Sequence, residues 1–188
     1  MGKGLINMNL PNKLTLLRII MIPFFIFFLL GDFGVTGRYI STAIFCVASF
    51  TDCLDGYIAR KYNLITNFGK FMDPLADKLL VCSAMIALIG IEDALVSLPS
   101  VVVIVIIARE FIITGFRTLA VEQNVVIAAS FWGKIKTICQ MAMLIVLLLN
   151  IDNVFFNYLS YILIYGSLVL AIISAFDYIL KNKDVLKG

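Results

Sequence analysis

Six apolar runs, near residues 17–31, 39–60, 70–91, 97–119, 133–150 and 154–180, follow one another with only short polar breaks. Most approach the roughly 20 residues that carry an α-helix across a hydrocarbon core. The chain is 62% hydrophobic and 14% charged, whereas a soluble domain is about half apolar and a quarter charged. Its mean hydropathy is +1.03. The expected fold is an all-α integral membrane protein. Six transmembrane helices form a bundle over 17–180, behind a short N-terminal interfacial segment over 1–16. At 188 residues the chain suits one membrane domain, 1–188, with little left for an extramembrane module.

The breaks are readable. Gly31, Gly34 and Gly37 mark the first turn, Glu92 and Asp93 a second, and Asn150, Asp152 and Asn153 a third. Pro23 lies inside the first run, where it implies a tilt or a kink. Before that run, a short helix from Pro11 carries Lys13 and Arg18 along the interface. Arg18 then serves either as an anchor to anionic headgroups or as a substrate contact. Met8-Asn9-Leu10-Pro11-Asn12 reads as a possible start, so Met1 to Asn7 is either an earlier start or an appended segment. No cleavable signal is expected, since no small-residue cleavage site follows the apolar run.

Charge orients the helices. Fourteen of the fifteen basic residues fall at the termini and around the second and fourth connections, and only Arg38 lies at the opposite turns. The positive-inside bias places both termini in the cytoplasm, in a multi-pass protein of the cell membrane. Cys46, Cys53, Cys82 and Cys139 are scattered without a CxxC and read as small buried hydrophobes. Histidine is absent, which removes His-dependent nucleophilic or acid–base chemistry. The net charge of +3 is too small and dispersed for a nucleic-acid partner.

Against that apolar background, Asp52, Asp55, Asp73 and Asp77 are costly. An unpaired charge at membrane depth costs about 3 kcal/mol or more, so two acidic clusters demand a compensating cation. Asp52 and Asp55 are three apart, and Asp73 and Asp77 four apart, so on helices each pair shares a face. Facing one another, the pairs make an oxygen-only cage that suits Mg²⁺, Mn²⁺ or Ca²⁺ rather than zinc. The site opens on the cytoplasmic side, because the basic residues cluster there too.

The stretch reads D-x2-D-G-x2-A-R-x8-G-x3-D-x3-D through Asp52, Asp55, Gly56, Ala59, Arg60, Gly69, Asp73 and Asp77. That pattern resembles the signature of the CDP-alcohol phosphatidyltransferases, and a chance match of eight positions over 26 residues is remote. The resemblance implies a CDP-linked lipid as donor and a divalent cofactor, Mg²⁺ or Mn²⁺, as one or two ions. It makes Asp52, Asp55 and Asp73 the main metal ligands, and Asp77 either a further ligand or the general base. Catalysis is thereby assigned to Asp73 and Asp77. Asp52, Gly56, Ala59, Arg60 and Gly69 would hold the CDP group. Gly56 allows close backbone approach and Arg60 binds phosphate by two parallel hydrogen bonds. Either glycine alone is equally well explained by turn or packing chemistry.

Arg109, Arg117, Lys134 and Lys136 add four cations near the same cytoplasmic edge. Eight residues apart, Arg109 and Arg117 lie within about a quarter-turn on a helix, whereas Lys134 and Lys136 cannot share a face. They read either as snorkelling anchors or as the binding site of an acceptor that carries its own phosphate. The apolar flanks of Arg109 favour phosphate. Segments 9–18, 107–110 and 132–137 resemble those of bacterial phosphatidylglycerophosphate synthases within this family. That likeness implies sn-glycerol 3-phosphate as acceptor, CMP and phosphatidylglycerol phosphate as products, and a homodimer among membrane lipids. Asn12, Thr15 and Arg18 become possible substrate contacts. The competing readings are a relative using serine, inositol phosphate or phosphatidylglycerol, and a divalent-cation transporter with the aspartates as filter. Gly56, Ala59 and Arg60 have no evident role in the latter.

Overall fold

The computed structural model describes residues 10–61, 67–123 and 130–183, less the side chains at 10–11, 53–61, 67–71, 73–74 and 121–122. Met1 to Asn7 lie outside the described residues. Among the described residues six helices follow in order: α1 (Leu10–Leu30), α2 (Gly34–Lys61), α3 (Asn67–Ile89), α4 (Ser100–Glu122), α5 (Phe131–Leu149) and α6 (Val154–Lys181). No strand occurs among the described residues. The fold is all-α. Among the described residues three stretches are long and apolar enough to cross a membrane: Asn12–Leu30, Phe131–Leu149 and Val154–Lys181. In α4 the charges of Arg109, Glu110 and Arg117 fall within one such length and lower its hydropathy. The chain divides into two compact units, Met1–Ala87 and Leu88–Gly188.

In the first unit α1 and α2 form a hairpin. The expected interfacial segment ending at residue 16 is not separate, because one helix runs from Leu10 to Leu30 and is unbroken at Pro23. The reason is visible in what it buries. Asn12, Thr15, Arg18, Ile22, Phe25 and Leu29 are buried at spacings of three and four, one continuous stripe. Its polar first half lowers hydropathy yet packs as closely as its apolar second half. On α2 the matching stripe is Arg38, Ser41, Phe45 and Ala48. Phe25 meets Phe45 with ring centroids 5.9 Å apart.

The hairpin turn needs its glycines. Gly34 has φ +56, a left-handed conformation that L side chains rarely adopt. A Cβ at Gly37 would lie 2.5 Å from the Phe28 carbonyl oxygen. The rings of Phe27, Phe28 and Phe33 close this end, with centroids 5.3–5.4 Å apart.

In the second unit α6 packs against both α4 and α5. Ser160, Ser167, Ala171 and Ser174 line its buried face, and such small residues let helices approach closely without water. The Ser167 hydroxyl donates to Cys139 Sγ at 3.4 Å. Ile113, Phe116 and Ala120 of α4 meet Tyr178 of α6 in an apolar cluster. Ser130 caps α5 by accepting from the Gly133 N–H, and Asn153 caps α6 by accepting from the Phe155 N–H. Asn150 ends α5 in the left-handed region, φ 46 and ψ 50. Its side chain accepts from the Leu95 N–H at 2.9 Å and donates to the Asp93 carbonyl at 3.3 Å. One amide thus fastens the α3–α4 connection to the α5–α6 turn.

Large apolar side chains lie exposed on the helices, among them Phe24, Phe27, Val101, Ile104, Ile138 and Ile162. Apolar exteriors of this kind suit lipid rather than water. The cysteines correct the expectation of burial: Cys46 is exposed and Cys82 and Cys139 are half-buried, all three as free thiols. A lipid-facing surface tolerates a thiol as readily as a core does. Cys53 has no described side chain.

Candidate active site

The α1–α2 stripe ends in the acidic motif. One turn beyond Ala48, Asp52 continues the packed face of α2, and Arg18 of α1 reaches it with Nη1 to Oδ1 at 2.5 Å. The Arg18 side chain is 0% exposed and that of Asp52 is 39% exposed. A buried guanidinium is thereby neutralised by a carboxylate that still meets the surroundings. Arg18 is not a snorkelling anchor. Asn12 and Thr15 are buried on the same stripe, so all three suggested substrate contacts lie within the α1–α2 packing.

Asp55 follows Asp52 by three residues on the α2 backbone and shares its face. On α3, Asp73 and Asp77 are four apart and share a face likewise. The Asp77 side chain is exposed. The side chains of Asp55, Ala59, Arg60 and Asp73, and the surroundings of Gly56 and Gly69, lie outside what the structure describes. No group of three or more possible metal ligands converges among the described residues. The donor set nonetheless fits a hard divalent ion: it is oxygen only, in helical pairs, and half-exposed at Asp52.

The second unit holds Arg109, Arg117, Lys134 and Lys136. Glu110 of α4 accepts from Arg109 Nη1 at 3.0 Å and from Lys136 Nζ of α5. The Lys136 side chain is 4% exposed and that of Glu110 18%, so this is a largely desolvated cluster. Lys134 is exposed, two residues away and on a different face, as its spacing required. Arg109 lies close to the start of α5, where its Nη2 is 3.9 Å from the position a Cβ at Gly133 would take.

Arg117, two turns beyond Arg109, is exposed and pairs with no carboxylate among the described residues. Its Nε donates to the Tyr178 hydroxyl at 3.2 Å, and its guanidinium carbon lies 5.5 Å from that ring's centroid. Sequence reasoning left Glu110 and Tyr178 without roles. Glu110 carries a signal, since a carboxylate in an apolar helix beside Arg109 incurs the same cost as the aspartates. Tyr178 carries none, because its partner is 61 residues away.

Comparison with known proteins agrees with the motif. The CDP-alcohol phosphatidyltransferase family model matches residues 8–173. A Bacillus subtilis (strain 168) protein is 42% identical over 194 residues, covering 95% of this chain and 97% of the relative. A Haemophilus influenzae protein is 38% identical, covering 95% of each chain, and one from Rickettsia felis is 37% identical, covering 92% and 94%. All three are named CDP-diacylglycerol–glycerol-3-phosphate 3-phosphatidyltransferase. With its unbroken acidic motif on α2 and α3 and a family match over most of its length, the chain belongs to the CDP-alcohol phosphatidyltransferase family.

Proposed function

We propose that the protein transfers the phosphatidyl group of CDP-diacylglycerol to sn-glycerol 3-phosphate, releasing CMP and phosphatidylglycerol phosphate. The observation that carries this reading is the agreement of relatives matched over nearly their whole length, all bearing that one activity. Its place is the cytoplasmic membrane, as one domain over 1–188 with six spans and both termini in the cytoplasm. The charge bias along the sequence and the exposed apolar side chains support that placement. The working form is a homodimer among membrane lipids.

Asp52, Asp55, Asp73 and Asp77 would hold one or two divalent ions, Mg²⁺ or Mn²⁺. Bound there, such ions offset the charge of the donor's diphosphate. Arg18 holds Asp52 in place from beneath, fixing the first carboxylate of the set. Gly56, Ala59, Arg60 and Gly69 bind the CDP group, with Arg60 on phosphate oxygens. Arg109 and Arg117, with one of Lys134 and Lys136, bind the acceptor's phosphate. Glu110 holds Arg109 and Lys136 in orientation before the acceptor arrives.

The acceptor hydroxyl oxygen attacks the lipid-side phosphorus, a new P–O bond forms, and the bond to CMP breaks. The hydroxyl proton leaves to Asp77 acting as the general base. CMP departs with the electron pair of the broken bond. Purified protein given CDP-diacylglycerol and Mg²⁺ should release CMP only when glycerol 3-phosphate is present. Release with serine or inositol phosphate in its place, but not with glycerol 3-phosphate, would overturn the acceptor assignment. Chelation with EDTA should stop the reaction and Mg²⁺ or Mn²⁺ should restore it.

A further inference from the structure

Tyr178 lies on α6 beyond residue 173, where the family match ends. It is 2% exposed, an unusual burial for a phenol that must satisfy its hydroxyl. Phe116 fixes the ring edge-on, with centroids 5.8 Å apart and planes at 80°, and Ile113 and Ala120 complete its surroundings. The hydroxyl accepts from Arg117 Nε at 3.2 Å, and the ring also lies near the guanidinium. Nε is the one guanidinium nitrogen that does not take part in a terminal two-pronged grip on an anion. A partner there sets the plane of the group and leaves both Nη atoms for a ligand.

The contrast with the other cations sharpens this. Arg109 and Lys136 are offset by Glu110, but Arg117 has only a neutral phenol beside it among the described residues. Its charge is oriented without being neutralised. We infer that Tyr178 is a positioning residue that aligns Arg117 for the phosphate of the acceptor alcohol. The inference rests on the proposed role of Arg117, and it assigns Tyr178 to binding of the acceptor rather than to the transfer step.

The test is steady-state CMP release by the full chain at saturating CDP-diacylglycerol and Mg²⁺, with glycerol 3-phosphate varied. Tyr178→Phe keeps the ring and removes only the hydroxyl. It should raise the KM for glycerol 3-phosphate about three- to tenfold, the range expected for one hydrogen bond, with kcat and the KM for CDP-diacylglycerol little changed. Combined with Arg117→Ala, it should add nothing to the effect of Arg117→Ala alone. Arg117→Lys is a second variant at an exposed position, carrying no Nε for the phenol to orient. It should raise the same KM although the charge is kept.

If Arg117→Ala raises the KM but Tyr178→Phe and Arg117→Lys do not, the positioning role is wrong and Arg117's role in acceptor binding stands. An equal rise from Tyr178→Phe with and without Arg117 also overturns it. If Arg117→Ala leaves the KM unchanged, the acceptor role of Arg117 falls and the inference with it.

Discussion

Arg18 and Asp52 form an ion pair between α1 and α2 in which the arginine is wholly buried and the aspartate is half-exposed. The pair joins the two halves of one problem. The bundle must bury a cation where α1 enters its packing, and the acidic motif must begin with a carboxylate held at a fixed point.

Removing the arginine should therefore weaken the fold as well as the activity. Arg18→Ala is expected to cost about 1–3 kcal/mol, less than for a fully buried pair because Asp52 keeps partial access to solvent. Thermal unfolding in detergent checks this. The double variant Arg18→Ala, Asp52→Asn should lose less than the two single losses combined, and simple additivity would mean that the pair contributes nothing.

Asp55→Asn and Asp73→Asn should each abolish CMP release while the protein keeps its elution position and thermal midpoint. Their spacing from Asp52 and Asp77 puts them on the shared faces of α2 and α3, where an amide keeps the shape but loses the charge. Near-normal turnover in either variant would remove it from the metal ligands.

Glu110→Ala leaves Lys136 nearly inaccessible without its carboxylate. The expected loss is about 3–5 kcal/mol, read from thermal or chemical unfolding. Glu110→Ala with Lys136→Met removes the carboxylate and the more buried of its two cations, and should recover part of that stability, though not the activity. If the double variant is no more stable than the single, the buried lysine is not what makes the loss large.

Asn150→Ala should cost about 1–2 kcal/mol, from two lost side-chain hydrogen bonds and a left-handed backbone. Asn150→Gly relieves the backbone but not the bonds, so its midpoint should fall between alanine and wild type. Equal midpoints for the two variants would show that the backbone conformation carries no cost.

Helix number and most helix ends were legible in the sequence, because a run of apolar residues bounded by Gly, Asn and Asp has few alternatives. The start of α1 was not, since Asn12, Thr15 and Arg18 read as polar surface until α2 is laid against them. The acidic motif was legible because its information is local: spacings of three and four on one helix fix a shared face. The pairs Lys136 with Glu110 and Arg117 with Tyr178 span 26 and 61 residues. They exist only once α5 and α6 pack on their neighbours, and no period along the chain announces them. The four cations were found from charge alone, but which of them share a carboxylate and which meets a phenol depended on that packing.

The buried stripe of α1 changes character along its length, from Arg18 to Phe25 and Leu29. Sliding α1 along α2 by one turn, about 5.4 Å, would set the guanidinium against the methyl of Ala48 instead of Asp52. The hairpin consequently has a single notch in which it can rest, and the helix pair works as a ruler that fixes how deep the first acidic residue is held.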